Sequence, residues 1–150
     1  MVQSKKIIIV DIDGTLSDPS HRLKFIEDAK KDWDSFYEAM DKDKPVAEIC
    51  DMVYTLSKEN IIVISTGRPD NYKKLTEEWL HKQNIPYQQI FMRKAGDFRP
   101  DDVVKEELLR EIKRYYLSHQ IAYAIEDRTR VVQMYRKNGI ICLQVKDGDY

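Results

Sequence analysis

Five short apolar runs punctuate the chain, and amphipathic or charged segments separate them. The first, Ile7–Val10, is a β-branched run with no polar alternation, the pattern of a strand covered on both faces. Runs of the same kind recur at residues 61–65 (IIVIS), 89–92 (QIFM), 121–125 (IAYAI) and 140–145 (IICLQV). Between them, residues 46–59, 71–82, 101–116 and 129–138 carry apolar positions at helical spacing, the last ending in Asn138-Gly139, a helix-stop sequence. Strands that alternate with helices pair in parallel through right-handed crossovers. The pattern therefore predicts an α/β, three-layer, Rossmann-like domain built on a five-stranded parallel sheet.

One stretch breaks the alternation. Residues 17–45, between the first strand and its helix, are rich in charge and aromatics (Phe25, Trp33, Phe36, Tyr37) and far longer than an ordinary strand-to-helix loop. They read as a small helical cap inserted after the first strand. With no internal repeat or low-complexity tract, residues 1–150 read as a single domain carrying that insertion. In such sheets ligands bind at the carboxyl ends of the strands. Polar residues gather there: Asp11 and Asp13 after the first run, Thr66, Gly67 and Arg68 after the second, Arg93 after the third, Glu126 and Asp127 after the fourth.

Composition narrows the class without naming it. Hydrophobic residues at 42% and charged residues at 34%, with 5 Gly and 5 Pro, describe a globular chain rather than a linker or a disordered tract. A formal net charge of −1 excludes a large, uniformly basic nucleic-acid surface, though not a local patch. No apolar run approaches the ~20 residues needed to span a bilayer, so no membrane partner is expected. The apolar run at the N-terminus is too short for a secretory signal, and Cys50 and Cys142 lie far apart without metal-ligand spacing. A reducing cytoplasm is the expected compartment.

The chemistry concentrates in Asp11-Ile12-Asp13-Gly14-Thr15. Two carboxylates two residues apart at the end of a buried strand repel each other and lose hydration unless a cation neutralises them. An oxygen-only ligand set of this kind suits Mg²⁺, which bridges carboxylates to a phosphate. Gly14 permits a tight turn and Thr15 can hydrogen-bond across it. The alternative is an acidic strand-to-turn junction with no metal.

The hydrophobic run followed by DxDGT resembles the first motif of the haloacid dehalogenase superfamily, whose members are largely phosphatases. Thr66-Gly67-Arg68 after the second run resembles the second motif, Lys105 the motif-three lysine, and Glu126-Asp127 the acidic fourth motif. The segments GDFRPDDVVKEE at residues 96–107 and EDRTRVVQM at 126–134, with the closing CLQVKDGD at 142–149, resemble more narrowly the 3′-phosphatase domain of bacteriophage polynucleotide kinases. The likeness is weak over the cap. A Walker A sequence (GxxxxGK[ST]) is absent from this chain, so no kinase domain is expected in it.

What the resemblance implies is a Mg²⁺-dependent phosphomonoesterase with Asp11 as nucleophile and Asp13 as general acid and then base. Asp11, Asp13 through its backbone carbonyl, and Asp127 with Glu126 as neighbour or alternative would hold the metal. Where this chain has Glu-Asp the phage domain has two aspartates, which leaves the division between Glu126 and Asp127 open. Lys105, Thr66, Gly67, Arg68 and Arg22 would surround the substrate phosphate. Asp101 stands one helical turn before Lys105, where it either orients the ammonium or forms a solvated pair. Arg93, Asp97 and Arg99 read either as substrate-backbone contacts or as a solvated loop. His21 reads as a substrate contact or a structural cap residue. Trp33, Phe36 and Tyr37 either stack a base or form the cap's own core. The implied substrate is a phosphorylated nucleic-acid end or nucleotide, a 3′-phosphate above all. The rival readings are a 5′-nucleotidase or other small-metabolite phosphatase, and a non-catalytic binding module.

Overall fold

The computed structural model describes residues 3–150; Met1 and Val2, the start of the expected span 1–150, lie outside the described residues. Strand β1 (Ile7–Val10) leads into the cap insertion, which opens and closes on two short strands, β2 (Ser17–Asp18) and β3 (Lys44–Pro45). Helix α1 (Trp33–Glu38) and 3₁₀ turns at Ser20–Phe25 and Ala39–Lys42 fill the insertion. The alternating remainder is α2 (Ala47–Leu56), β4 (Ile61–Pro69), α3 (Lys73–Lys82), β5 (Gln89–Arg93), α4 (Asp101–Tyr115), β6 (Ile121–Glu126), α5 (Thr129–Lys137) and β7 (Cys142–Gln144). The 5-stranded sheet runs β5-β4-β1-β6-β7, every neighbouring pair parallel, with β1 at its centre.

Because side chains alternate faces along a strand, β1 divides its four residues between two cores. Ile8 and Val10 pack with Val53 of α2 and with Trp79 and Leu80 of α3 on one face. Ile7 and Ile9 pack with Leu109 and Ile112 of α4 and with Val131 and Tyr135 of α5 on the other. Helices cover both faces, which is why the strand sequences lack polar alternation.

Several boundaries differ from the sequence pattern, among them α2, which spans Ala47–Leu56 where 46–59 was expected, and β7, which spans Cys142–Gln144 where 140–145 was expected. Strand β4 continues to Pro69, past the end of its apolar run at Ser65, because β5 keeps pairing with it: Thr66 lies opposite Met92 and Pro69 opposite Arg93 across a register irregularity. The helix expected from residue 71 begins at Lys73, preceded by a 3₁₀ turn at Asp70–Tyr72 that follows the extended Pro69. The cap is fastened where it returns to the domain, since the Trp79 indole donates to the Asp43 carbonyl at 2.9 Å. Inside it, the Arg22 guanidinium lies 4.3 Å from the Phe36 ring centroid. Among the described residues no helix is long and apolar enough to cross a membrane, and both cysteines are free and buried.

Candidate active site

The turn after β1 builds the first wall. Gly14 takes φ +85°, in the left-handed region, and lets the chain reverse so that the amides of Thr15, Leu16 and Ser17 all donate to the Ile12 carbonyl. A side chain at Gly14 would also collide with Asp127, since its Cβ would lie 2.2 Å from Oδ2. The turn brings the Thr15 hydroxyl within 3.1 Å of both Asp11 Oδ2 and Asp127 Oδ1, joining two strand ends far apart in sequence.

Lys105, buried on α4, reaches the same point. Its ammonium donates to Asp11 Oδ1 at 2.5 Å and Glu126 Oε2 at 2.7 Å, and stands 3.7 Å from Asp101 Oδ2. Asp101 is thus part of a buried network and not a solvated pair; its Oδ1 sits where a Cβ on Gly67 would be, 2.1 Å away. Glu126 has both oxygens engaged, Oε2 by Lys105 and Oε1 by the amides of Asp127 and Arg128 at 3.0 and 3.1 Å. That geometry distinguishes the two acids: Glu126 holds the lysine and the turn, while Asp127 presents its carboxylate to Thr15 beside Asp11.

Oxygens of Asp11, Glu126 and Asp127 lie within 4.8 Å of one another. Three buried carboxylates against one ammonium leave an excess of negative charge in a poorly solvated space. Burial, Glu126 and Asp127 push the Asp11 carboxyl well above its ordinary range, against the opposing pull of Lys105. Burial likewise pushes Glu126 up to about 7 despite Lys105. For Lys105 itself burial works to lower the pKa, but Asp11 and Glu126 outweigh it and raise it well above the ordinary range. A hard divalent cation is what such an oxygen-only set accommodates, and the residues fit Mg²⁺.

The second wall forms where the cap meets the turn after β1 and the end of β4. Arg22 and Arg68, both fully buried, share two carboxylates. Arg22 contacts Asp13 at 2.5 Å and Asp43 at 2.7 Å; Arg68 contacts them at 2.7 and 3.3 Å. Burial acts to raise the Asp13 carboxyl, but Arg68 and Arg22 prevail and hold it well below the usual carboxylate range. His21, its side chain 39% exposed, pairs with Asp43 at 2.8 Å. Thr66 is buried two residues beyond Ile64, which pairs with Val10 of β1, and its hydroxyl accepts from the Arg68 amide at 3.2 Å.

Two participants were not visible in the sequence pattern, and the part played by a third was left open. Asp43 completes the arginine tetrad but stands in an ordinary-looking run, Asp-Lys-Asp-Lys, that carries no motif. Tyr150 hydrogen-bonds Asp127 Oδ2 with its hydroxyl, and Arg128 lies 5.3 Å from its ring centroid. Arg93, read from the sequence either as a substrate-backbone contact or as part of a solvated loop, ends β5 and donates to the Gly67 carbonyl at 2.8 Å, the Asp97 and Arg99 carbonyls at 3.0 and 2.7 Å and the Asp101 carboxylate at 3.1 Å. It thereby braces the end of β4 and the loop after β5 against the start of α4. The side chains of Asp97 and Arg99 instead pair with one another, and Arg99 also with Glu107, on the exposed surface.

A central parallel strand ending in two aspartates, a cap inserted directly behind it and a buried lysine–acid cluster describe a haloacid dehalogenase-type hydrolase. The chain belongs to the phosphatase-domain family of polynucleotide kinases: the family described as "Polynucleotide kinase PNKP phosphatase domain" matches residues 5–150. A chain of the Pnkp1/Rnl/Hen1 RNA repair complex is similar at 28% identity and TM-score 0.80, over 97% of this chain and 44% of that one. This chain therefore spans less than half the length of that relative. A haloacid dehalogenase-like hydrolase from Streptococcus pneumoniae shares the fold at 17% identity and TM-score 0.70, over 93% of this chain and 84% of that one. CbbY from Rhodobacter sphaeroides, in complex with phosphate, shares it at 13% identity and TM-score 0.61, over 98% and 88% of the two chains.

Proposed function

We propose that this protein is a Mg²⁺-dependent polynucleotide or nucleotide 3′-phosphatase that works through a phospho-aspartyl intermediate on Asp11, with residues 1–150 forming one domain and 17–45 its cap. The observation that carries the reading is the Asp11 carboxylate set between the Lys105 ammonium and the Thr15 hydroxyl, beside Asp127. Mg²⁺, held by Asp11, Asp127 and the Asp13 backbone carbonyl, would supply charge neutralisation between the attacking carboxylate and the phosphoryl oxygens. Membership of the polynucleotide kinase phosphatase-domain family and the RNA-repair relative support the 3′-end substrate.

The residues divide the work. Asp11 attacks phosphorus as the ester P–O bond breaks, and the departing oxygen takes a proton from Asp13. Asp13 then removes a proton from water, which attacks the phospho-aspartate; the P–O bond to Asp11 breaks and inorganic phosphate leaves. Without substrate, Asp13 is a poor proton donor because Arg22 and Arg68 stabilise its anion. A phosphate dianion arriving between the guanidiniums competes for them, and as they turn to it Asp13 regains its affinity for a proton. Arg22 of the cap and Arg68 at the end of β4 thus couple phosphate binding to acid catalysis. Lys105 and Thr66 stabilise the charge spread over the transferring group. Glu126 and Asp101 are positioning residues for Lys105.

The test is phosphate release from a 3′-phosphorylated oligonucleotide, a 3′-mononucleotide and a 5′-mononucleotide, each with Mg²⁺ and with EDTA. Preference for the 3′-phosphates, abolished by EDTA and restored by excess Mg²⁺, is expected. Faster release from the 5′-mononucleotide would instead make this a 5′-nucleotidase built on the same machinery.

A further inference from the structure

The aromatic residues of the cap do two different things. Phe36 is buried under Arg22 and belongs to the cap's own core. Trp33 and Tyr37, one helical turn apart on α1, pack edge-on against Phe36 at 5.7 and 5.2 Å and stack on each other at 5.9 Å with an interplanar angle of 23°. Tyr72, from the turn after β4, continues the row at 5.3 Å from Tyr37. The Tyr72 hydroxyl, 3.4 Å from Asp34, ties its ring to the cap. Tyr37 stands between the other two rings, and its phenol makes no side-chain hydrogen bond among the described residues. Its ring centroid lies 5.2 Å from that of Phe36, over which Arg22 stands at 4.3 Å. At one end of the row Trp33 is 37% exposed, and the Lys31 ammonium stands 5.6 Å from its ring centroid. The aromatic row thus runs from the arginine-covered core of the cap out to an exposed indole with a lysine over it.

We propose that Trp33, Tyr37 and Tyr72 form a stacking subsite for the nucleobase of the nucleotide that carries the scissile phosphate. Trp33 and Lys31 lie where the preceding nucleotide and its phosphate leave the site. Stacking on aromatic faces accepts any base and serves a single-stranded end, while Lys31 adds attraction to backbone phosphate. This rests on the nucleotide-phosphatase reading and adds what that reading lacks, a reason for the enzyme to prefer a nucleotide over another phosphate ester.

The experiment compares a 3′-phosphorylated oligonucleotide with the same oligonucleotide whose terminal nucleotide is abasic, using wild type, Tyr37→Ala and Trp33→Ala. With wild type the abasic end should have a KM about 10-fold higher. Tyr37→Ala should raise KM for the base-bearing end about 10-fold, leave the abasic end unchanged and keep kcat within about two-fold. Trp33→Ala, at the exposed end of the row, should act in the same direction without altering the melting temperature. Equal effects of Tyr37→Ala on both ends, or no effect on either, would overturn the subsite. If wild type instead hydrolyses only 5′-mononucleotides, the 3′-phosphatase reading fails separately. The same variants are then compared on a 5′-mononucleotide and ribose 5-phosphate, where loss confined to the nucleotide upholds the subsite and equal or absent loss rejects it.

Discussion

Asp11→Asn is expected to reduce phosphate release by at least about 10⁴-fold while the protein melts at or above the wild-type temperature. The two halves of that result have separate causes. An amide oxygen of the same shape is a poor nucleophile, so the covalent step is lost. The carboxylate it replaces lies in the buried cluster with Glu126 and Asp127, where its ionised form is disfavoured in the absence of a cation. Removing one of three clustered negative charges leaves Lys105 still paired with Glu126 at 2.7 Å, so no cation is orphaned. The two readouts are turnover and thermal melting in EDTA. A clear drop in melting temperature would mean that the Lys105–Asp11 pair stabilises the fold more than the crowding of carboxylates opposes it.

Asp43→Ala carries the largest expected cost in stability. Arg22 and Arg68 bring two positive charges into a space shielded from water, and Asp13 and Asp43 bring two negative ones. Deleting one partner of a buried pair leaves charge uncompensated, at a cost of about 3–5 kcal/mol. For a chain of this size that corresponds to a melting temperature lower by roughly 10 °C. Asp43→Asn should show most of the same loss, because the amide keeps the shape but not the charge. Equal melting of Asp43→Asn and wild type would show that packing, and not charge, fixes the two arginines.

The sheet was legible because a centrally placed parallel strand cannot carry polar residues on either face, so Ile7–Val10 and the runs like it announce themselves. Asp11, Asp13, Lys105 and Asp127 were legible for a related reason: each sits in a short local motif at a strand end or on the helix behind it. The Glu126–Asp127 division was not. It depends on which carboxylate meets Lys105 and the backbone amides of the turn, and adjacent residues with the same chemistry give no signal of that. Asp43 was invisible because its partners Arg22 and Arg68 are 21 and 25 residues away and meet it only when the cap folds back. The end of β4 was misjudged because its last residues point into a polar site. There hydrophobicity stops, while the backbone ladder with β5 continues. The cap aromatics could not be sorted without knowing that Phe36 alone lies under Arg22.

The measurement that bears most directly on the central claim is acid quenching of enzyme mixed with a 3′-³²P-labelled oligonucleotide and Mg²⁺ on the millisecond scale, followed by peptide mapping. The account predicts transient label on the peptide containing Asp11, lost on treatment with hydroxylamine and absent from Asp11→Asn. Release of labelled phosphate at the full rate with no label ever found on Asp11 would contradict it and assign the attack on phosphorus to water.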